Sequence, residues 1–308
     1  MTNRRKAILA LITAMAIWAI SAVVIKYTLQ FIPPFTLLFL RLFLVCLVIF
    51  PFLNRELKQN PFSKKDALKL IILSLFGQTI NLTLTFIGFD KTSALEGLLV
   101  STIGPVMTIT AGVLILKERL VHREKIGLAI IFMGSLLPIS HSVSAFKNGT
   151  SLNLWGDLIL LAGALTWVIF AILSKELFEK YKPLPVTLFT FYVGLITFLP
   201  LMLWEQIFNP AAAQMQLLPA LPGILYLAFL SSIVGYIFYE FGLEHVEASE
   251  ADVFAYLGPL FAVPAAFLIL NEIPTSPMVI GGLIIALGVV VYNKGSSLQR
   301  HHIRRSKI

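Results

Sequence analysis

Amide, hydroxyl and aromatic side chains occur deep inside the long apolar runs of this sequence. An amide is costly in an apolar environment unless it has a hydrogen-bond partner. Small-molecule sites combine apolar and aromatic walls with a few placed polar groups of this kind, whereas other aromatic residues would face lipid or the membrane interface. The sequence therefore predicts a binding pocket, with Gln78, Asn81 and Tyr256 as its first candidates. The further candidates are Trp18, Thr85, Ser101, Trp167, Tyr192, Tyr236 and Tyr239.

Charged residues near or inside the same runs form a second set of candidates. Such residues are costly in an apolar run and commonly mark a function or a partner. For Arg41 we expect contact with an anion or a gating role, or else a structural contact to a backbone carbonyl or to Glu96. The carboxyl groups are candidates for proton coupling, or are ordinary ionised groups at the interface. These carboxyl groups belong to Glu96, Glu240, Glu250 and Asp252.

Two proline-containing segments match each other, "GPVMTITAGVLILKE" from Gly104 and "GPLFAVPAAFLILNE" from Gly258. Proline lacks a backbone donor and crowds the preceding helical turn. Pro105 and Pro259 are therefore predicted to kink or locally open their helices near the middle of each span. The kink is either a hinge beside a cavity or a purely structural bend. A closing glutamate ends each segment, and we expect neighbouring groups to compensate its charge against the helix dipole.

The elements that carry these residues are predicted from composition and length. Of the 308 residues, 57% are hydrophobic and 13% charged, against about 45–50% and about 25% in soluble domains. A helix needs about 20 apolar residues to cross the hydrocarbon core. The predicted fold class is all-α, a polytopic membrane protein with ten transmembrane helices. The predicted spans are 7–29, 34–53, 69–89, 92–116, 123–140, 155–174, 184–204, 219–243, 248–270 and 277–293.

The basic residues predict the orientation of these spans. With the amino terminus inside, 20 of the 24 Lys and Arg residues fall in inner segments, as the positive-inside rule requires. Both termini are therefore expected in the cytoplasm. Because the basic residues are spread along the inner segments, the net charge of +8 does not indicate a nucleic-acid partner. The single cysteine, Cys46, excludes a disulfide framework within the chain and a cysteine-based zinc site.

An internal duplication divides the chain into halves of about 1–149 and 150–308, with five spans each. An offset of 154 residues pairs Gly127 with Gly281 and Gly134 with Gly288, while an offset of 149 pairs Trp18 with Trp167. An odd number of spans requires the second half to enter the membrane from the opposite face. Inverted repeats of this kind place a substrate site near the midplane between the halves.

The chain resembles the EamA-type transporters of the drug/metabolite transporter superfamily. The resemblance is carried by a "W-x-x-x-A" opening, by "PFTLLFLR" ending at Arg41, and by Ala94, Ser101, Pro105 and Glu118 in the fourth span. It covers nearly the whole chain and implies a carrier of small metabolites, often an exporter, in the bacterial plasma membrane. Tyr192 is expected at the position that corresponds to Arg41, so a role of Arg41 would be asymmetric.

The predicted function is secondary active transport of an amino acid or a related amphipathic metabolite, with alternating access to a midplane site. A uniporter or a channel-like pore is the alternative. An enzyme is not expected, since no HExxH motif or nucleophile elbow occurs, and without a Walker motif ATP is not the direct energy source. No cofactor or metal is expected. The expected partners are a small-molecule substrate and the lipid bilayer, and the sequence is compatible with proton coupling and with a homo-oligomer.

Overall fold

The computed structural model describes residues 3–115, 120–147, 153–243 and 254–305. The predicted residues Glu118, Glu250 and Asp252 lie outside these ranges. The α-helices are α1 Asn3–Thr28, α2 Pro34–Gln59, α3 Lys64–Ser74, α4 Asn81–Lys91, α5 Ala94–Ser101, α6 Ile103–Ile115, α7 His122–Lys147, α8 Asn153–Lys180, α9 Pro183–Phe208, α10 Leu217–Leu225, α11 Gly235–Leu243, α12 Gly258–Leu270 and α13 Ser276–Arg305.

Seven helical stretches in the described part of the chain are long and apolar enough to cross a membrane. Their apolar surfaces stay exposed at the periphery, for example at Leu114 and Ile196, as expected for side chains that face lipid. The prediction of an all-helical multi-pass membrane protein is thus confirmed. The seven stretches are Arg5–Thr28, Pro34–Gln59, Lys64–Lys91, Ala94–Ile115, Leu154–Ser174, Leu184–Phe208 and Leu217–Gly242, and the shorter apolar helices are Phe254–Leu270 and Ser276–Tyr292.

Two of the long stretches contain wide π-helical turns. Leu75–Ile80 joins α3 to α4, and Tyr226–Val234 joins α10 to α11. Within the second π segment the Ser232 hydroxyl donates to the Leu227 carbonyl oxygen, 2.8 Å away and five residues earlier. Short π segments inside α-helices are frequent at functional sites.

In the structure, each of the prolines Pro105 and Pro259 closely follows an interruption of its helix. The helix is interrupted at Thr102, between α5 and α6, and a 3₁₀ turn from Phe254 to Leu257 precedes α12. Pro105 and Pro259 therefore lie in the first turn of new helices. A proline is tolerated there because first-turn N–H groups have no partner within the helix.

The largest buried cluster lies where α1, α2, α4 and α9 meet the second π segment and its neighbouring helices. Helix α1 packs on α11 and α12, while α8 packs on α4 and α6. Helix α2 packs on α9, and α7 packs on α13. The polar candidates are thus held between helices from both predicted halves of the chain.

Glycines bring the backbones of α7 and α13 together. A Cβ atom at Gly134 would lie 2.9 Å from the carbonyl oxygen of Gly281, and one at Gly288 would lie 2.9 Å from the carbonyl oxygen of Gly127. Any larger residue would force the two backbones apart. These close contacts match the way in which small residues drive helix association in lipid.

Two carboxylates cap helices from neighbouring elements. Glu205, near the end of α9, accepts hydrogen bonds from the N–H groups of Phe35 and Thr36 in the first turn of α2, at 3.1 and 2.7 Å. Glu272 follows α12 and accepts from the N–H groups of Ala94 and Leu95, at 2.9 and 3.0 Å. The expected compensation of Glu272 therefore comes from the positive end of α5. Both contacts join the end of one helix to the start of another, so each pair runs antiparallel.

Candidate functional site

The candidate functional site is a cavity between α4, the α5–α6 break and α8. Its volume is about 240 Å³. The helix break at Thr102 lies beside the cavity. Gly104 leaves space next to Ala164, since a Cβ atom built on Gly104 would be 3.7 Å from the Ala164 Cβ. The cavity is lined by Asn81, Thr85, Ser101, Gly104, Pro105, Thr108, Leu160, Ala164 and Trp167.

The amide of Asn81 is fixed by the neighbouring helix α8. Its Nδ2 donates to the carbonyl oxygen of Gly163 at 2.8 Å. A larger residue at position 163 would press on Leu84, because a Cβ there would be 3.3 Å from the Leu84 Cβ. One amide donor of Asn81 is thus satisfied by protein, while its amide oxygen is available to accept a hydrogen bond.

The hydroxyl groups of the cavity donate to carbonyl oxygens of their own helices. Ser101 Oγ donates to Gly97 O at 2.7 Å, and Thr108 Oγ1 donates to Gly104 O at 3.1 Å. Each hydroxyl oxygen keeps lone pairs that can accept from a ligand. Together with the amide oxygen of Asn81, these lone pairs make the cavity a site for hydrogen-bond donors such as an ammonium group.

A second group of predicted site residues lies around Trp18 and consists of aromatic side chains. The ring centroid of Trp18 lies 5.2 Å from that of Tyr236 and 5.1 Å from that of Tyr239. Trp18 Nε1 donates to the carbonyl oxygen of Ser231 at 3.0 Å. These three predicted site residues lie together, but they do not line the cavity at Trp167.

Two hydrogen bonds between buried polar side chains cross the helix bundle. Arg41 Nε on α2 donates to Ser232 Oγ in the second π segment at 2.8 Å. Gln78 Nε2 in the first π segment donates to Thr190 Oγ1 on α9 at 3.1 Å. The hydrogen-bond partner of Arg41 is thus a serine hydroxyl. A structural contact was expected to involve a backbone carbonyl or the Glu96 carboxylate instead. Gln78 is buried between helices and does not line the cavity.

Two other aromatic candidates are also embedded in the protein. Tyr192 donates its hydroxyl hydrogen to the carbonyl oxygen of Cys46 in α2 at 2.7 Å. Tyr256 is buried beside Ala19, Val23 and Leu99. Neither residue lines the cavity.

Among the predicted carboxylates, Glu96 is fully embedded in protein. It lies in the first turn of α5, and the hydroxyl of Thr92 lies 3.5 Å from its carboxylate and 3.0 Å from that of Asp157. Both carboxylates are buried. Glu240 lies on α11 and is half-buried. Within the described residues, no group of three His, Cys, Asp or Glu side chains is placed to hold a metal ion.

The structure thus brings four of the predicted pocket residues together, Asn81, Thr85, Ser101 and Trp167. Sequence analysis missed Thr108, Leu160 and Ala164 as lining residues, and Ser232 and Thr190 as partners of buried groups. Thr108 could have been found, since it lies one helical turn beyond Gly104. Ser232 could have been found as the residue 154 positions after Gln78.

Comparison with known proteins indicates that the chain is a transporter. A family model described as "EamA-like transporter family" matches residues 5–139 and 154–294. An uncharacterized transporter of Archaeoglobus fulgidus is 29% identical, with 94% of this chain and 97% of the relative covered. A protein of Salmonella typhimurium named "Probable amino-acid metabolite efflux pump" is 26% identical over 97% of this chain and 98% of its own.

The chain is also similar in fold to a protein of known structure. A crystal structure of a protein with 16% sequence identity matches with a TM-score of 0.65, covering 94% of this chain and 97% of that one.

Proposed function

The chain belongs to the EamA-like transporter family, and on this premise we propose that it is a secondary carrier that exports an amino acid or a related amphipathic metabolite. It is a transporter and not an enzyme. The observation that carries the substrate site is the cavity at Asn81, Ser101 and Trp167, which offers an aromatic wall and hydrogen-bond acceptors as small-molecule sites do. The name of the Salmonella typhimurium relative supports the amino-acid class.

We propose that the helices form ten spans in two inverted repeats, 1–149 and 150–308. An offset of 149 carries Pro34–Gln59, the bounds of α2, onto Pro183–Phe208, the bounds of α9. It also carries Glu56 onto Glu205. Glu205 caps the start of α2, and Glu56 lies 3.8 Å from Lys182, immediately before α9. These reciprocal contacts support a twofold relation between the halves.

The buried hydrogen bonds support the same relation. The offset of 149 carries Arg41 onto Thr190, and the offset of 154 carries Gln78 onto Ser232. The bond from Arg41 to Ser232 therefore corresponds to the bond between Thr190 and Gln78. On this proposed relation the counterpart of Arg41 is Thr190 instead of Tyr192. The glycine contacts of α7 and α13 are reciprocal in the same way.

The two halves differ in the space around the tryptophans that correspond to each other. Trp167 of the second half lines the open cavity together with Asn81 of the first half. The counterpart of Asn81 is Gly235, where an added Cβ would meet Trp18 Nε1 at 2.7 Å. Trp18 thus occupies space that corresponds to the cavity. This difference supports one substrate site, reached alternately from the two faces as the halves rock.

Proton coupling through Glu96 is a further part of the proposal. The side chains of Glu96 and Asp157 approach the same Thr92 hydroxyl in a buried setting. Ionisable side chains buried within membrane spans commonly mark the pathway of a coupling ion. A Glu96→Gln variant is expected to keep substrate exchange but to lose uptake driven by a proton gradient. Equal gradient-driven uptake by both proteins would refute this role.

We further propose the bacterial inner membrane as the location, with both termini in the cytoplasm. The distribution of basic residues supports this orientation. Accessibility of single cysteines introduced near position 5 and near position 91, measured in intact cells with an impermeant thiol reagent, tests it. Labelling is expected near position 91 only, and the reverse pattern would invert the topology.

Transport in reconstituted vesicles tests the function. Each of the twenty standard amino acids is supplied in labelled form, with and without unlabelled substrate on the opposite side. Saturable uptake that is stimulated from the opposite side supports a carrier, and linear non-saturating flux supports a pore. A Ser101→Leu variant should block transport by filling the cavity, whereas Leu114→Ala, on a lipid-facing position that is 74% exposed, should not. Movement of no amino acid would refute the proposed substrate class.

The rates of transport in the two directions across the membrane test whether the protein is an exporter. In right-side-out and everted vesicles with matched gradients, faster accumulation in everted vesicles supports an exporter. Equal rates in both orientations would contradict a preferred direction and favour a facilitative uniporter.

A further inference from the structure

Arg41 is a buried cation with a hydrogen-bonding fork that the protein does not use. It lies about 10 Å along the helix axis from Pro34, at about 1.5 Å per residue, and is 8% exposed. Only its Nε is hydrogen-bonded within the described residues, to Ser232. No described carboxylate pairs with it. Its Cζ lies 5.9 Å from the Phe86 ring centroid, and Tyr236 interacts with it electrostatically. A cation kept at this depth without an acidic partner is expensive and marks a function.

The contact to Ser232 orients the guanidinium. The Ser232 hydroxyl donates to Leu227 O at 2.8 Å, so its oxygen is free to accept from Arg41 Nε. With Nε held in this way, the two terminal nitrogens stay available side by side. That geometry matches the two oxygens of a carboxylate, which arginine binds with a pair of parallel hydrogen bonds.

The corresponding position in the other half is neutral. There Thr190 meets Gln78 in a hydrogen bond between uncharged groups. The positive charge is therefore present on one side of the proposed twofold axis only. Of these two corresponding positions, only the one at Arg41 offers a cation to an anionic group of a ligand, which would fix the ligand's orientation.

We infer that Arg41, positioned by Ser232, binds the carboxylate of the transported metabolite, so the substrates are small carboxylic acids. The inference rests on the proposed transport function and adds the group that the protein requires on its substrates. Neither Arg41 nor Phe86 lines the cavity in this conformation, so the carboxylate reaches the fork when the halves move.

The test compares carboxylic acids with their primary amides. In vesicles that contain wild-type protein, each unlabelled amino acid and its amide compete with labelled L-leucine and with the labelled amino acid that is transported fastest. The amides are expected to compete about 30-fold less well or worse, since loss of one member of a buried charge pair has at least that effect. Arg41→Gln should abolish this preference for the acid. Arg41→Lys should keep part of it, because lysine retains the charge but not the fork.

A matched control uses the neutral pair. Thr190→Val removes the bond to Gln78 without a change in charge, so it should alter competition by acid and amide by the same factor. Thermal melting of each purified variant separates loss of binding from loss of folding. Equal competition by acid and amide in the wild type, or an unchanged preference in a folded Arg41→Gln variant, would overturn the role of Arg41 while leaving transport intact. If neither acids nor amides are transported, the proposed function fails and this inference fails with it.

Discussion

Replacing Gly288 by alanine should separate two helices whose backbones now touch. An added Cβ would lie 2.8 Å from the backbone nitrogen of Ile131 and 2.9 Å from the carbonyl oxygen of Gly127. Both neighbours are backbone atoms of α7, which cannot move aside as a flexible side chain can. Overpacking of this kind costs about 1–3 kcal/mol. We expect Gly288→Ala to lower the free energy of unfolding by an amount in this range relative to an alanine substitution that causes no clash.

Gly282 provides a control on the same helix. Nothing lies within 4 Å of a Cβ built there, so Gly282→Ala adds the same methyl group without a clash. Alanine is also favoured over glycine within helices, by about 0.5–1 kcal/mol, and this benefit is common to both variants. The difference between the two variants therefore isolates the packing of α7 on α13.

The assay is thermal or denaturant unfolding of the purified protein in one detergent, followed by circular dichroism. Gly288→Ala should melt several degrees below Gly282→Ala, and Gly134→Ala should behave like Gly288→Ala because its Cβ would lie 2.9 Å from the Gly281 carbonyl oxygen. Equal melting of Gly288→Ala and Gly282→Ala would refute the reasoning, since the helices would then not be in backbone contact.

Three other substitutions have distinct expected effects. Glu205→Ala leaves first-turn N–H groups of α2 without their acceptor, so stability should fall by about 2–4 kcal/mol, measured by thermal unfolding; a loss under 0.5 kcal/mol would contradict the cap. Asp66→Asn removes the ionic part of the contact with Lys180, whose side chain is 55% exposed, so the melting temperature should change little; a fall as large as that of Glu205→Ala would contradict this. Asn81→Leu should raise the KM for transport about 10-fold or more, because it removes a partly buried polar contact worth about 1–3 kcal/mol. The melting temperature is the folding control, and an unchanged KM would show that Asn81 does not belong to the site.

Hydropathy and length predicted where the helices lie. The bounds of α2 and α9 start within a residue of the predicted spans at 34 and 184, because an apolar run of fixed length has few alternatives in a membrane. Periodicity also identified part of the cavity. Asn81 and Thr85 are four residues apart and therefore lie on one face of α4, which the structure turns towards α8.

The partners of the buried polar groups could not be predicted in the same way. Gln78, Asn81 and Tyr192 are all polar residues within apolar runs, but only Asn81 lines the cavity. Which group bonds a neighbouring helix depends on the rotation and vertical register of that helix, and the apolar pattern specifies neither. The exact positions of the helix breaks could not be predicted for a related reason. The break at Thr102 lies three residues before Pro105, and the apolar pattern continues through it without a change.

The wide turn at Leu75–Ile80 also sets the rotational phase of the rest of its membrane span. Each residue added to or removed from an α-helix turns everything beyond it by about 100°, at about 3.6 residues per turn. Gln78 lies within this turn and contacts α9, whereas Asn81 immediately after it contacts α8. Loss of one residue here would scarcely shorten the span. It would swing Asn81 and Thr85 away from the cavity, so the length of this turn is itself a determinant of what the transporter can bind.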